Sequence, residues 1–249
     1  YSAPISEKKV IMFILDIVNY DDLTIYGQKH MKHLLENGAL GLMNTNSGGS
    51  YTDTNSYATI GAGSYAVSSG FGSHAGGYAD LFYLEPVNEV YRRNTGKEMK
   101  EENIANIDIL GLTRQNEKLN RPVKVGLLGS LLNEHGYKTA IIGNEGTAFD
   151  DISINASLIS MNSEGITDFG KVDKDLITKD FMSPFGVKTN YDALYKAYEK
   201  VKDKADFIVI QTGDTYRLNK YMNISDERHK ESKTNTFKEV DEFLGRIIQ

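Results

Sequence analysis

Six consecutive apolar residues, VIMFIL from Val10 to Leu15, close on a single carboxylate, Asp16. An uninterrupted apolar run this short, with Val and Ile in it, fits a strand buried on both faces and not an amphipathic helix. Strands of that kind lie in parallel sheets covered by helices, which points to an α/β fold. Asp16 then falls where the strand meets the crevice at the carboxyl end of such a sheet, where ligands bind. It is a candidate metal ligand or catalytic group. A loop cap or a bond to backbone is the plainer alternative.

The remaining punctuation extends this pattern. A helix is expected over Tyr26–Asn37, striped by Met31, Leu34 and Leu35 and stopped by Gly38. Ala39–Met43 reads as a second strand, which would complete a right-handed βαβ unit. The polar loop Asn44–Asn55 follows, and then Ser56–Ala66, a helix of small residues able to lie close to the sheet. Thr52, Asp53 and Thr54 fall near that helix's N-terminus, where free N–H groups favour an anion. A hydroxyl there is a candidate nucleophile; a plain N-cap is the other reading.

Ser68–Tyr78 is a glycine loop that matches neither the P-loop nor the dinucleotide fingerprint, and its His74 is the histidine best placed to meet a ligand. Helices are expected at Glu85–Arg93 and Val123–His135, and strands at Asn103–Ile109 and Lys138–Ile142, the latter running into the loop GNEGT at Gly143–Thr147. Ala156–Met161 and Gly165–Phe169 read as a hairpin or edge pair about the turn Asn162-Ser163-Glu164. Tyr191–Val201 is an amphipathic helix, Asp206–Gln211 a buried strand, and His229–Ile248 a long closing helix. Asp214 thus stands just past a strand, as Asp16 does, and two such carboxylates in one crevice would hold a cation between them. Arg217 next to it suits a phosphate or carboxylate ligand, or else a structural pair with Asp214.

Composition narrows the function classes. The 249 residues contain no cysteine, which excludes disulfides, thiolate metal sites and cysteine nucleophiles. A formal charge of −6 with dispersed lysines argues against nucleic acid as a partner. No apolar run approaches the roughly 20 residues that span a bilayer. The start, YSAPISEKK, has the look of a trimmed tail, and the end, FLGRIIQ, falls inside a helix, so a single domain over 1–249, truncated at its C-terminus, is expected.

Three stretches together resemble the alkaline phosphatase superfamily, in its phosphodiesterase and phosphoglycerate-mutase-like branches. They are VIMFILD with Asp16, TDTNSYATIGAG, and ADFIVIQTGDTYR with Asp214, followed by the helix FKEVDEFLGRII. Bacterial extracytoplasmic domains of that superfamily, often joined to a membrane-embedded region, also have stretches similar to GNEGT and GDTYRLN. The resemblance implies a three-layer α/β/α sandwich with a mostly parallel sheet and a metal-dependent phosphoester or sulfoester hydrolase site. Carried over, Asp16 and Asp214 would be metal ligands for zinc or manganese and Thr54 or Thr52 the nucleophile. Asn144, Arg217 and His74 would contact a small anionic substrate. An extracytoplasmic location is implied as well.

The chain also departs from that family. Where a histidine is usual four residues after the second Asp, Leu218 follows Asp214, and no Asp-His pair occurs anywhere. The metal site is therefore expected to be incomplete and catalysis slight in this chain, with a non-catalytic binding domain for an anionic ligand or protein partner as the alternative.

Overall fold

A computed structural model describes residues 9–44, 46–68 and 70–248, so the first eight residues of the N-terminal tail lie outside the described residues. The first apolar run forms strand β1 (Val10–Leu15) as expected, but at the edge of the sheet and not buried on both faces: Val10 and Ile11 are exposed and the other four residues half-buried. Two helices follow where one was expected over Tyr26–Asn37: α1 (Tyr20–Tyr26) and α2 (Lys29–Asn37). Gly27 divides them, since it turns to ψ 135° and a Cβ there would collide with the Leu23 carbonyl. Ala39–Met43 forms no strand, against expectation. Gly41 interrupts its apolar run, and Leu42 and Met43 are 94% and 75% exposed, so nothing offsets the cost of ordering the segment.

Helix α3 (Asp53–Ala62) begins three residues earlier than expected and ends at Gly63 in left-handed conformation. Small antiparallel pieces then alternate with helices: β2 (Ala75–Gly77), β3 (Leu81–Phe82), β4 (Glu85–Pro86), α4 (Val87–Thr95), β5 (Ile104–Asn106), α5 (Ile109–Glu117) and α6 (Leu127–Glu134). The expected helix from Glu85 therefore starts at Val87. The strand expected over Asn103–Ile109 is cut short because Ile109 already opens α5. Strand β6 (Thr139–Asn144) carries the chain back into the main sheet.

Ala156–Met161 is a helical turn, α7 (Ser157–Ser160), and not half of a hairpin. Every residue of that turn is buried, and a short apolar run buried all round has no periodicity to separate helix from strand. Next come β7 (Ile166–Thr167), β8 (Phe169–Lys171), β9 (Ile177–Lys179), β10 (Val187–Thr189), α8 (Tyr191–Val201), β11 (Phe207–Thr212), α9 (Asp214–Lys220) and α10 (Asp226–Ile247).

The central sheet has the order β1-β11-β6-β8, all parallel. β1 therefore pairs with a strand from near the chain's end, in the register Ile14 with Gln211 and Leu15 with Thr212. One face packs Val209 and Ile141 against Tyr57 and Ala58 of α3 and Leu158 and Ile159 of α7. The other packs Ile208, Ile210 and Ile142 against Leu194 and Ala197 of α8 and Phe243 of α10. Each fully buried Ile or Leu stabilises by about 1.5–3 kcal/mol. Helices on both faces of a parallel sheet bear out the α/β reading and are compatible with a three-layer sandwich. α3 lies so close to α7 that a Cβ on Gly61 would collide with the Leu158 carbonyl, which is the use of its small residues.

Candidate functional site

The register decides which side chains meet at the carboxyl end of the sheet. Side chains alternate between faces along a strand, so Ile14 and Asp16, Val209 and Gln211, and Ile141 and Glu145 share the α3 side. Gly143, level with Gln211, has no side chain, and a Cβ there would strike the Gln211 backbone. The Gln211 amide lies between the Asp16 and Glu145 carboxyl groups. Its Nε2 donates to Asp16 Oδ2 at 2.7 Å and to Glu145 Oε2 at 2.7 Å, while its Oε1 accepts from the Ala156 N–H at 3.3 Å. Glu145 Oε1 accepts from the Asn155 N–H at 3.1 Å.

Asp16, Glu145 and Gln211 are all buried, and burial favours a neutral carboxyl. It pushes Asp16 up to about 7, against a smaller downward pull from Gln211. Burial pushes Glu145 up as well, with repulsion from Asp16 as the next cause. The charge of Asp53, in the first turn of α3, raises both. Lys220 opposes this from α9, with Nζ 3.7 Å from Asp53 Oδ2. The residue after Asp16 is strained: Ile17, β-branched, sits at φ +54°, and the Asn219 side chain donates to its carbonyl at 3.3 Å.

Thr52 is the N-cap of α3, its Oγ1 accepting from the Asn55 N–H at 3.2 Å. Thr54 lies one position inside the helix, its hydroxyl 3.3 Å from that of Thr52. Buried Asn55 fixes the turn by accepting from the Ser68 N–H at 2.6 Å and donating to the Ser50 carbonyl.

Asp214 belongs to a different network. Its Oδ1 accepts from the Thr189 N–H at 2.9 Å and from Arg217 Nη2 at 2.8 Å, and its Oδ2 from the Tyr191 hydroxyl at 2.7 Å. Burial works to raise its pKa, but Arg217 and these bonds together hold it below the usual carboxylate range. Asp16 and Asp214 are thus bonded on opposite sides of the sheet. Arg217 makes the structural pair with Asp214 and spends its other donors on Thr189 Oγ1 and on the carbonyls of Asn144 and Gly146. Asn144 braces the same loop, its Oδ1 accepting from the Gly146 and Ser153 N–H groups. His74 stands apart, with Nδ1 2.8 Å from Asp108 Oδ2 and its ring 4.8 Å from that of Phe82. The Asp108 hydrogen bond raises its pKa.

Of the residues singled out in the sequence, Asp16 and the α3 turn with Thr52 and Thr54 come to this end of the sheet. Glu145 and Gln211 escaped notice. The period of two running on from Ile141 and Val209 was the available signal. Among the described residues, no three of His, Asp and Glu gather closely enough to hold a metal ion. Nor is any described helix long and apolar enough to cross a membrane. No family model matches the chain, and no curated protein or solved structure shows a significant match to it.

Proposed function

We propose that this chain is a phosphoester- or sulfoester-hydrolase-type domain of the alkaline-phosphatase-like kind, which binds its anionic ligand through a divalent cation and turns it over little or not at all. The observation that carries the reading is the convergence of Asp16 and Glu145 on one amide at the carboxyl end of a parallel sheet. Asp53 adds negative charge to both, opposed by Lys220 at Asp16 and by Arg217 at Glu145. Burial holds both carboxyls toward the neutral form, so a cation would have to displace their protons and would bind better as pH rises.

The donor set suits zinc or manganese in part. Asp16 and Glu145 each keep acceptor capacity beyond the bond to Gln211, since a carboxylate offers about four lone-pair sites. Asp214, with both oxygens bonded inside the protein, is not needed for this set. Two carboxylates make a weak site, since affinity follows ligand number and geometry. When bound, the cation would supply charge neutralisation and polarise the ester oxygens. The chain's own part is to present the N–H groups of the α3 first turn to the anion and to hold the Thr54 hydroxyl beside them. The extracytoplasmic location goes with this reading.

The test is a thermal-denaturation series with MnCl₂ and inorganic phosphate, together with an aryl phosphate turnover assay. Mn²⁺ is expected to raise Tm in the wild type but not in the double variant Asp16→Asn/Glu145→Gln. Phosphate should add to the rise only when Mn²⁺ is present. Stabilisation by phosphate without Mn²⁺, or by Mn²⁺ in the double variant, would overturn the reading.

A further inference from the structure

Strand β1 has a free edge. The Val10 N–H donates to the Asp206 carbonyl on the β11 side, and neighbouring residues of a strand point their backbone groups to opposite edges. The N–H groups of Ile11, Phe13 and Leu15 therefore face outward, and among the described residues no strand pairs with them. The edge also lacks the features that keep such edges from pairing, since VIMFIL contains neither a charge nor a proline. Beside it lies an apolar cleft of about 420 Å³. It is lined by Phe13 and Leu15 of β1, by Leu34 and Leu35 of α2, and by Ala39 and Leu40 just beyond α2.

Ala39–Met43 is the segment that fits this edge. It follows β1, α1 and α2 in the order of a βαβ crossover, which delivers a strand parallel to the first. The chain leaves α2 already extended, with Gly38 at ψ −171°, and Leu40, Leu42 and Met43 are left exposed. Alternation would set Leu40 and Leu42 on the face of Phe13 and Leu15, and Met43 on that of Met12 and Ile14. We infer that Ala39–Met43 is a strap that closes on the free edge of β1 as a fifth parallel strand, covering these side chains and pairing the outward N–H groups. Its short tether through Gly38 favours it over any separate chain competing for the same edge. Closure brings Asn44, and with it the chain leading to Thr52, to the end of the sheet where Asp16 lies.

Gly41 holds the strap back, because a glycine inside a strand has no side chain to pack and more freedom to lose. A Cβ at Gly41 would meet nothing within 4 Å, so Gly41→Val fits the open form and favours the closed one.

The experiment is amide hydrogen exchange of the 249-residue chain, read residue by residue by NMR, beside size-exclusion chromatography over a range of concentrations. The N–H groups of Ile11, Phe13 and Leu15 are expected to exchange at least about tenfold more slowly in the wild type than in Gly41→Pro/Leu42→Pro. Two adjacent prolines remove whichever donor of the strap faces β1. Gly41→Val should slow the same three amides further, which keeps the test decisive if the proline variant fails to fold. Equal exchange in the wild type and the folded variants would overturn the inference. Protection that grows with protein concentration, appears with a dimer and survives the prolines would also overturn it, because a second copy would then hold the edge.

Discussion

Arg217 Nη2 lies 2.8 Å from Asp214 Oδ1, and the two side chains are 1% and 8% exposed. A buried pair of this kind is held by its further bonds, here to Thr189, Tyr191 and the loop after β6. Asp214→Asn would leave the guanidinium charge without its partner. A loss of about 3–5 kcal/mol is expected. Urea unfolding at pH 7 measures it, and a loss below about 1 kcal/mol, the size of an exposed pair, would show that the network is not a structural hub.

Stability should fall as pH rises across the range where Asp16 titrates. Its carboxyl ionises near 3.8 when unfolded and near 7 when folded. Between those values the folded chain binds more protons than the unfolded one, so raising the pH favours unfolding. At 1.36 kcal/mol per pH unit the full effect is about 4 kcal/mol. Glu145, raised by burial and by Asp16, acts with the same sign. In EDTA, Asp16→Asn should flatten the decline between pH 4 and 7 and be more stable than the wild type at pH 8. An undiminished slope in the variant would assign the dependence to other groups.

Asp16 and Asp214 look alike in the sequence because each follows a buried apolar strand. The register separates them. Leu15 pairs with Thr212, so Asp16 stands one residue past that level, whereas Asp214 already opens helix α9 and bonds to Thr189 and Tyr191. For Glu145 and Gln211 the period of two gave the face but not the meeting. They join Asp16 only through pairings of β1 with β11 and β11 with β6, which no local pattern encodes. By contrast Val10–Leu15 and Tyr191–Val201 were placed correctly as strand and helix, because an unbroken apolar run and a clear helical stripe each fix their element locally, but the expected burial of Val10–Leu15 on both faces fails because the strand lies at the sheet's edge. Ala39–Met43 was misread since its apolar run has strand composition but finds no partner strand, and α7 since burial on all sides erases periodicity.

Ile17 bears the strain of the turn that follows Asp16. A β-branched residue in the left-handed region costs of order 1–3 kcal/mol, and at 46% exposure this side chain recovers only part of that by burial. Ile17→Gly removes the steric cost but adds freedom to the unfolded chain. A net gain of about 1 kcal/mol is expected, seen as a higher urea midpoint. A large loss instead would mean that the Ile17 side chain, not the backbone turn, holds Asp16 in place.

Thr52 and Thr54 are two residues apart, and their surroundings assign them different work. Thr52 Oγ1 caps α3 through the Asn55 N–H, so Thr52→Ala should cost about 1 kcal/mol. Thr54 has its hydroxyl beside that of Thr52 and caps nothing, so Thr54→Ala should alter stability by no more than about 0.5 kcal/mol. Ligand response is expected to divide the other way. With Mn²⁺ present, the extra rise in Tm from phosphate should persist in Thr52→Ala, measured from that variant's own baseline, and vanish in Thr54→Ala. Denaturation scans of the two variants with and without phosphate decide the matter, because a cap acts on the folded chain with or without ligand, whereas a group that touches the anion acts only when the anion is bound. The opposite pattern would make Thr52 both the cap and the ligand contact, and would leave Thr54 with neither role.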